Sequence, residues 1–182
     1  KGENMSVIAE ACDAGTGDVV YEPLTITADF CEWNIFDGIV AVSNESQMLP
    51  LSPEKISTLS NVYIAKLGDI VVGMCAVTFV YNHNGETTKE IGAMVVLKDF
   101  RHLHIASNLL KMVLASVDKE GADSIAFCND ASLRIFIMNG FRIADWDDVP
   151  RMAISACIDC PNKDKINKST MCCDTILIKK AS

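Results

Sequence analysis

The residues whose types and spacing most directly suggest chemistry are four late cysteines: Cys157 and Cys160, two residues apart, and then Cys172 and Cys173. Cys-x-x-Cys is a common metal-ligand spacing, and together the four thiolates suffice for a tetrahedral zinc site. If Cys172 and Cys173 lie on a strand, their side chains point to opposite faces and only one joins such a site easily. Three states therefore stand side by side: bound zinc, free thiols, and a disulfide, the last disfavoured in a reducing compartment. Pro161, Asn162 and several lysines between the pairs read as a loop, so residues 157–173 form a cysteine-rich insertion between two strands.

The remaining composition narrows the classes. Cys31, Cys75 and Cys128 lie in apolar surroundings, where a reduced thiol behaves as a small hydrophobe. Of 182 residues, 49% are hydrophobic and 22% charged, a soluble globular profile whose core does not require a disulfide or metal to fold. The net charge of −8, with no basic stripe, argues against nucleic acid as a partner. It also argues against an anionic membrane surface, and the apolar stretch 70–81 is too short to span a bilayer. The opening Lys1-Gly2-Glu3-Asn4 lacks the marks of a secretory signal, so the expectation is a cytoplasmic protein.

These residues need elements to position them. Residues 1–23 show no periodicity and contain Gly15-Thr16-Gly17, which reads as a loop-rich arm ahead of one domain over 24–182. Alternation predicts a short strand over 24–28, and Ile35, Ile39 and Val42 recur at helical spacing, predicting a helix over 29–42. Ser52-Pro53-Glu54 has the order of a helix start: a hydroxyl cap, a proline in the first turn, and an acid at the positive end of the dipole. Three strands, 62–66, 70–80 and 90–97, are separated by Leu67-Gly68-Asp69 and Asn82-His83-Asn84-Gly85, an antiparallel meander. Ile105, Leu109, Met112, Val113 and Val117 mark one face of a long helix that stops at Gly121. The strand 124–128 follows with no room for a hairpin, so it runs parallel after a crossover. A helix over 131–139, closed by Gly140, and a strand at Ile176-Leu177-Ile178 complete the order.

Where the third meander strand meets the long helix, Val96-Leu97-Lys98-Asp99-Phe100-Arg101-His102-Leu103-His104-Ile105-Ala106 resembles the acyl-CoA-binding signature of the GCN5-related N-acetyltransferases (GNAT). Asn129 after the next strand, seven residues before Phe136, and Gly140-Phe141 closing the next helix match the family's second signature. The resemblance implies an α+β fold: a GNAT-type mixed sheet with an antiparallel N-terminal meander, a crossover helix and flanking helices. It also implies acetyl-CoA as acyl donor. Backbone amides at the start of the long helix would cradle its pyrophosphate, reinforced by the dipole. Main-chain groups of Met94 and Val96 would bond its pantetheine arm, and Arg101, His102, His104, Ile105, Ala106, Asn129 and Phe136 would complete the cofactor-binding set. His102 and His104 stand where glycine is usual, and two readings remain: imidazoles that donate to a phosphate, or caps on a surface loop. Phe136 stands where many members carry a tyrosine acid. Glu90, at the start of the strand that admits the thioester, is then the candidate catalytic base, with a solvated strand end as the alternative.

Within that family, Leu49-Pro50-Leu51-Ser52, Glu90-Ile91-Gly92-Ala93 and Cys157-Ile158-Asp159-Cys160-Pro161 resemble the short bacterial N-acetylglutamate synthases, with Leu51 in the place of their arginine. The expected function is transfer of an acyl group, normally acetyl, to a small amine or amino acid by direct attack in a ternary complex. The alternative is a non-catalytic domain of the same fold that binds a ligand or a partner. A cysteine loop that holds a partner or a homodimer is compatible with either.

Overall fold

A computed structural model describes residues 18–25, 53–83, 85–150, 153 and 175–181. The helix expected over 29–42 and the cysteine-rich loop lie outside the described residues. Strand β1, Val20–Leu24, comes first. Its first four residues fall inside the expected arm, and it ends at Leu24, where the strand foreseen over 24–28 begins; 26–28 lie outside the described residues. β1 pairs antiparallel with β2, Ser60–Leu67, and has no other neighbour in the sheet among the described residues, so the missing N–H of Pro23 is tolerated. Between them comes the short helix α1, Pro53–Ser57, with Pro53 in the first helical position as its fixed φ favours.

β2, β3 (Ile70–His83) and β4 (Glu86–Val96) form the expected antiparallel meander, each strand longer than its pattern indicated. A 3-10 turn, Lys98–Phe100, leads into α2, Ile105–Lys119. The crossover then delivers β5, Asp123–Cys128, parallel to β4. After α3, Asp130–Met138, come β6, Arg142–Ile143, and β7, Thr175–Lys179. Among the described residues the sheet order is β1-β2-β3-β4-β5-β7-β6, a seven-stranded mixed sheet with one parallel junction. β6 was not foreseen, since two residues carry no period. The α+β class and the order of meander, crossover helix and late helix are as the resemblance implied.

α2 packs across β2, β3 and β4 through Ile105, Leu109, Leu110, Val113, Leu114 and Val117, all buried, against a cluster that includes Ile64, Met74 and Ile91. Burying each such side chain stabilises by roughly 2 kcal/mol, so this face fixes where the N-terminus of α2 stands relative to β4. A smaller cluster, Tyr81, Ile125, Val149 and Ala153, packs Phe127, Ala144 and Ile176.

Candidate functional site

The site begins where two central strands part. β4 and β5 pair at Thr88 with Asp123, Lys89 with Ser124 and Glu90 with Ile125, and there the pairing ends, although β4 runs on to Val96 and β5 to Cys128. β5 stays paired with β7 through Cys128, so it leaves β4 as part of the other half of the sheet. The Leu97 amide donates to the Val72 carbonyl at 2.9 Å. Alternation from Leu97 therefore turns the main-chain groups of Val96 away from β3, towards the side that β5 has left. The Val96 carbonyl already accepts from Arg101 Nε at 3.1 Å, so Arg101 ties the following loop to the end of β4.

Two bulges shape this stretch. Between the pairs Ala76–Gly92 and Met74–Val95, Ala93 and Met94 oppose the single residue Cys75, and Ala93 adopts φ 46. Between Val77–Ile91 and Phe79–Glu90 the extra residue is Thr78, on β3. A Cβ on Gly92 would come within 2.9 Å of Thr78 Cγ2, so the close approach of the two strands requires glycine there.

Glu90 lies at this fork. β4 begins at Glu86, so Glu90 is not a strand end as the alternative reading had it; it is half-buried within the strand. Thr78 Oγ1 donates to Glu90 Oε1 at 2.9 Å, and Tyr81 Oη donates to Oε2. Tyr81 is buried, with its ring 4.7 Å from that of Phe79, which is exposed opposite Glu90. Strand register alone could have found Tyr81, though not Thr78, which sits in the bulge. Counting back from the His83–Glu86 pair places Tyr81 opposite Thr88 and Phe79 opposite Glu90, and alternation puts all four on one face.

At the far end of β4, Arg101, His102, Leu103 and His104 are exposed, and His102 (φ 67) and His104 (φ 60) both adopt left-handed backbone. The loop therefore keeps the conformation that glycine reaches freely, at a cost of about 1–2 kcal/mol per histidine. His104 precedes α2, where its carbonyl accepts from the Asn108 amide at 3.0 Å and its side chain makes no cap bond. The amides of Ile105 and Ala106 have no intrahelical partner, as in any first helical turn, and they face outward with the positive end of the dipole. Ile105 itself is buried, so it can offer a ligand only its main chain.

The remaining expected residues lie in the other half. Asn129 is exposed and caps α3, its Oδ1 accepting from the Ser132 amide at 3.1 Å. Phe136 is buried at 3% exposure, with its ring edge-on to Phe141 at 5.0 Å. Asn139, which no motif singled out, donates to the Ile135 carbonyl at 2.7 Å and to Ser107 Oγ at 3.4 Å, joining α3 to the first turn of α2. Cys75 and Cys128 are buried free thiols, pushed up to about 12 and about 11 by desolvation. Cys157, Cys160, Cys172 and Cys173 lie outside the described residues. Among the described residues no group of three or more His, Cys, Asp or Glu could hold a metal, and no helix is long and apolar enough to cross a membrane.

The chain is similar to N-acetylglutamate synthase from Neisseria gonorrhoeae complexed with coenzyme A and N-acetyl-glutamate, with a TM-score of 0.62 and 18% identity over 92% of this chain and 36% of that one. It thus spans little more than a third of that enzyme. It is also similar to a GNAT-family acetyltransferase from Staphylococcus aureus Mu50, with a TM-score of 0.60 and 14% identity over 91% of this chain and 100% of that one. A third is Naa50 from Arabidopsis thaliana in complex with a bisubstrate analogue, with a TM-score of 0.59 and 15% identity over 89% and 98%. No curated protein matches the sequence. At such identities the structures speak for the fold. The profile of the Acetyltransferase (GNAT) family, however, matches residues 29–141, which run through the forked strand, the histidine loop and α2. By that match, on this fold, the chain belongs to the GNAT acetyltransferase family.

Proposed function

We propose that this protein transfers an acetyl group from acetyl-CoA to the amino group of a small amine or an amino acid. The observation that carries the reading is the position of Glu90: a carboxylate at the point where β4 and β5 part, on the strand whose outward main chain leads to the N-terminus of α2. Acetyl-CoA supplies the activated acyl group as a thioester whose thiolate leaves. The main-chain groups of Met94 and Val96 offer amide-like partners along the open edge. The amides of Ile105 and Ala106 offer an anion site, and His102 and His104 stand at its mouth with donors of their own. Glu90 takes a proton from the attacking amine, directly or through one water, as nitrogen bonds to the acyl carbon and the carbon–sulfur bond breaks. Phe136 has no proton to give, so water protonates the departing thiolate. No covalent intermediate on the enzyme is needed.

Glutamate belongs among the acceptors to be tried, although Leu51 replaces the arginine of the N-acetylglutamate synthases. The reading includes a cytoplasmic setting, consistent with the free thiols of Cys75 and Cys128. For Cys157, Cys160, Cys172 and Cys173 it keeps bound zinc and free thiols as equal readings ahead of a disulfide, and for the assembly it keeps a homodimer as one reading. Elemental analysis and sedimentation check those two.

Thiol release from acetyl-CoA across a panel of amino acids and small amines tests the central claim. Turnover with at least one acceptor, reduced roughly 10²- to 10⁴-fold in Glu90→Gln, is the expected result. The absence of an acid at Phe136 favours a second reading, a ligand-binding domain without turnover. Calorimetric binding of coenzyme A with no thiol release from any acceptor is the outcome that selects it.

A further inference from the structure

We infer that Thr78 and Tyr81 are positioning residues for the Glu90 carboxylate, and that the bulge in β3 together with the bare α-carbon of Gly92 is what brings Thr78 to it. The inference rests on the reading of Glu90 as the base. In a regular ladder Thr78 would point to the opposite face from its neighbour Phe79. The extra residue removes that alternation, so Thr78 and Phe79 together oppose Glu90 and the Thr78 hydroxyl reaches Oε1 at 2.9 Å. Its methyl occupies the space that a side chain at position 92 would fill.

Tyr81 takes the other oxygen. Its ring is held in the cluster with Ile125 and Val149, and its hydroxyl donates to Oε2. The two donors act on different oxygens, which sets the plane of a carboxylate that would otherwise rotate on a flexible chain. Each donor uses one acceptor position, and an ionised carboxylate has about four, so Glu90 can still accept from an amine or a water. Orientation of this kind matters to rate, since a misplacement of about 1 Å can cost on the order of 100-fold.

A cycle of variants separates positioning from packing. Thr78→Val keeps the shape and removes the hydroxyl; Tyr81→Phe does the same for the phenol. Each is expected to lower kcat about tenfold with KM for acetyl-CoA changed less than about twofold, and Thr78→Ser is expected to recover most of the loss. In a Glu90→Gln background neither substitution should lower kcat further, because the group they orient is gone. Unchanged kcat in Thr78→Val and Tyr81→Phe, or an equal loss in both backgrounds, overturns the inference while leaving Glu90 as base if Glu90→Gln is itself impaired. Full turnover in Glu90→Gln removes the base and the inference with it, and no thiol release from the unaltered protein removes the acetyltransferase reading as well. Thermal melting and coenzyme A calorimetry confirm that each variant is folded; should Thr78→Val fail to fold, Thr78→Ala and Tyr81→Phe carry the cycle.

Discussion

Lys89 Nζ lies 2.6 Å from Glu120 Oε2, joining β4 to the residue that follows α2, one position along the strand from Glu90. Asn61 completes the link, accepting from Lys89 at 3.1 Å and donating to Glu120 Oε1 at 2.8 Å. Hydrogen bonds from Lys89 and then Asn61 hold the Glu120 carboxyl below its ordinary value of 4.5. A carboxylate favoured in the folded state adds stability above the unfolded value, and that stability is lost as pH falls through the lowered folded value. Because the Glu120 side chain is 49% exposed, water screens the pair and its loss costs about 1 kcal/mol. Glu120→Gln should therefore melt lower than the unaltered protein at neutral pH, and the gap should close as pH drops below 4.5. Melting curves of both across that range are the check.

The left-handed backbone at His104 makes its replacements unequal. Glycine adopts φ 60 without strain, whereas alanine retains the Cβ and loses the tolerance of a polar side chain. The glycine variant should exceed the alanine variant in unfolding free energy by about 1 kcal/mol, measured by denaturant titration. A higher stability for the alanine variant would contradict the strained loop.

Gly92→Ala should be more damaging than its size suggests. The new methyl would meet Thr78 Cγ2 at 2.9 Å and Thr78 Oγ1 at 3.1 Å, a crowding that costs about 1–3 kcal/mol as the strands shift. Thr78→Ser in the same chain removes the closer atom and should recover part of the loss. The denaturation midpoints of the single and double variants give the comparison.

Cys75 and Cys128 should resist alkylation in the folded protein. Burial removes the charged form of both, with values near 12 and near 11, so little nucleophilic thiolate exists at pH 8. Iodoacetamide labelling followed by mass mapping should leave both unmodified until denaturant is added.

The parts legible in the sequence are those where one face is buried and the other is not. Leu109, Val113 and Val117 are buried along α2 because the 3.6-residue period is a direct imprint of packing on a sheet. Met112, expected on the same face, is only half-buried, and Leu110 and Leu114 take the space beside it. β1 escaped notice because Pro23 argues against a strand unless the strand is at an edge, and edges are decided by pairing. Glu90 was found through resemblance, whereas Thr78 was not, since a bulge breaks the alternation that strand reading depends on. At His102 and His104 the residue types pointed away from a glycine-like loop, and the chain adopts that conformation nonetheless. The cost per residue is small beside what α2 gains by burying Ile105, Leu109, Leu110, Val113, Leu114 and Val117 together.

The open edge of β4 presents chiefly main-chain groups, which are nearly the same whatever residue carries them. Substitution along 91–96 can therefore exchange one apolar side chain for another and leave the polar face of the fork unaltered, apart from Gly92, which must stay small. A surface made in this way constrains shape far more than spelling. Chains with 14% and 18% of their residues in common with this one can accordingly share its fold while differing at most positions.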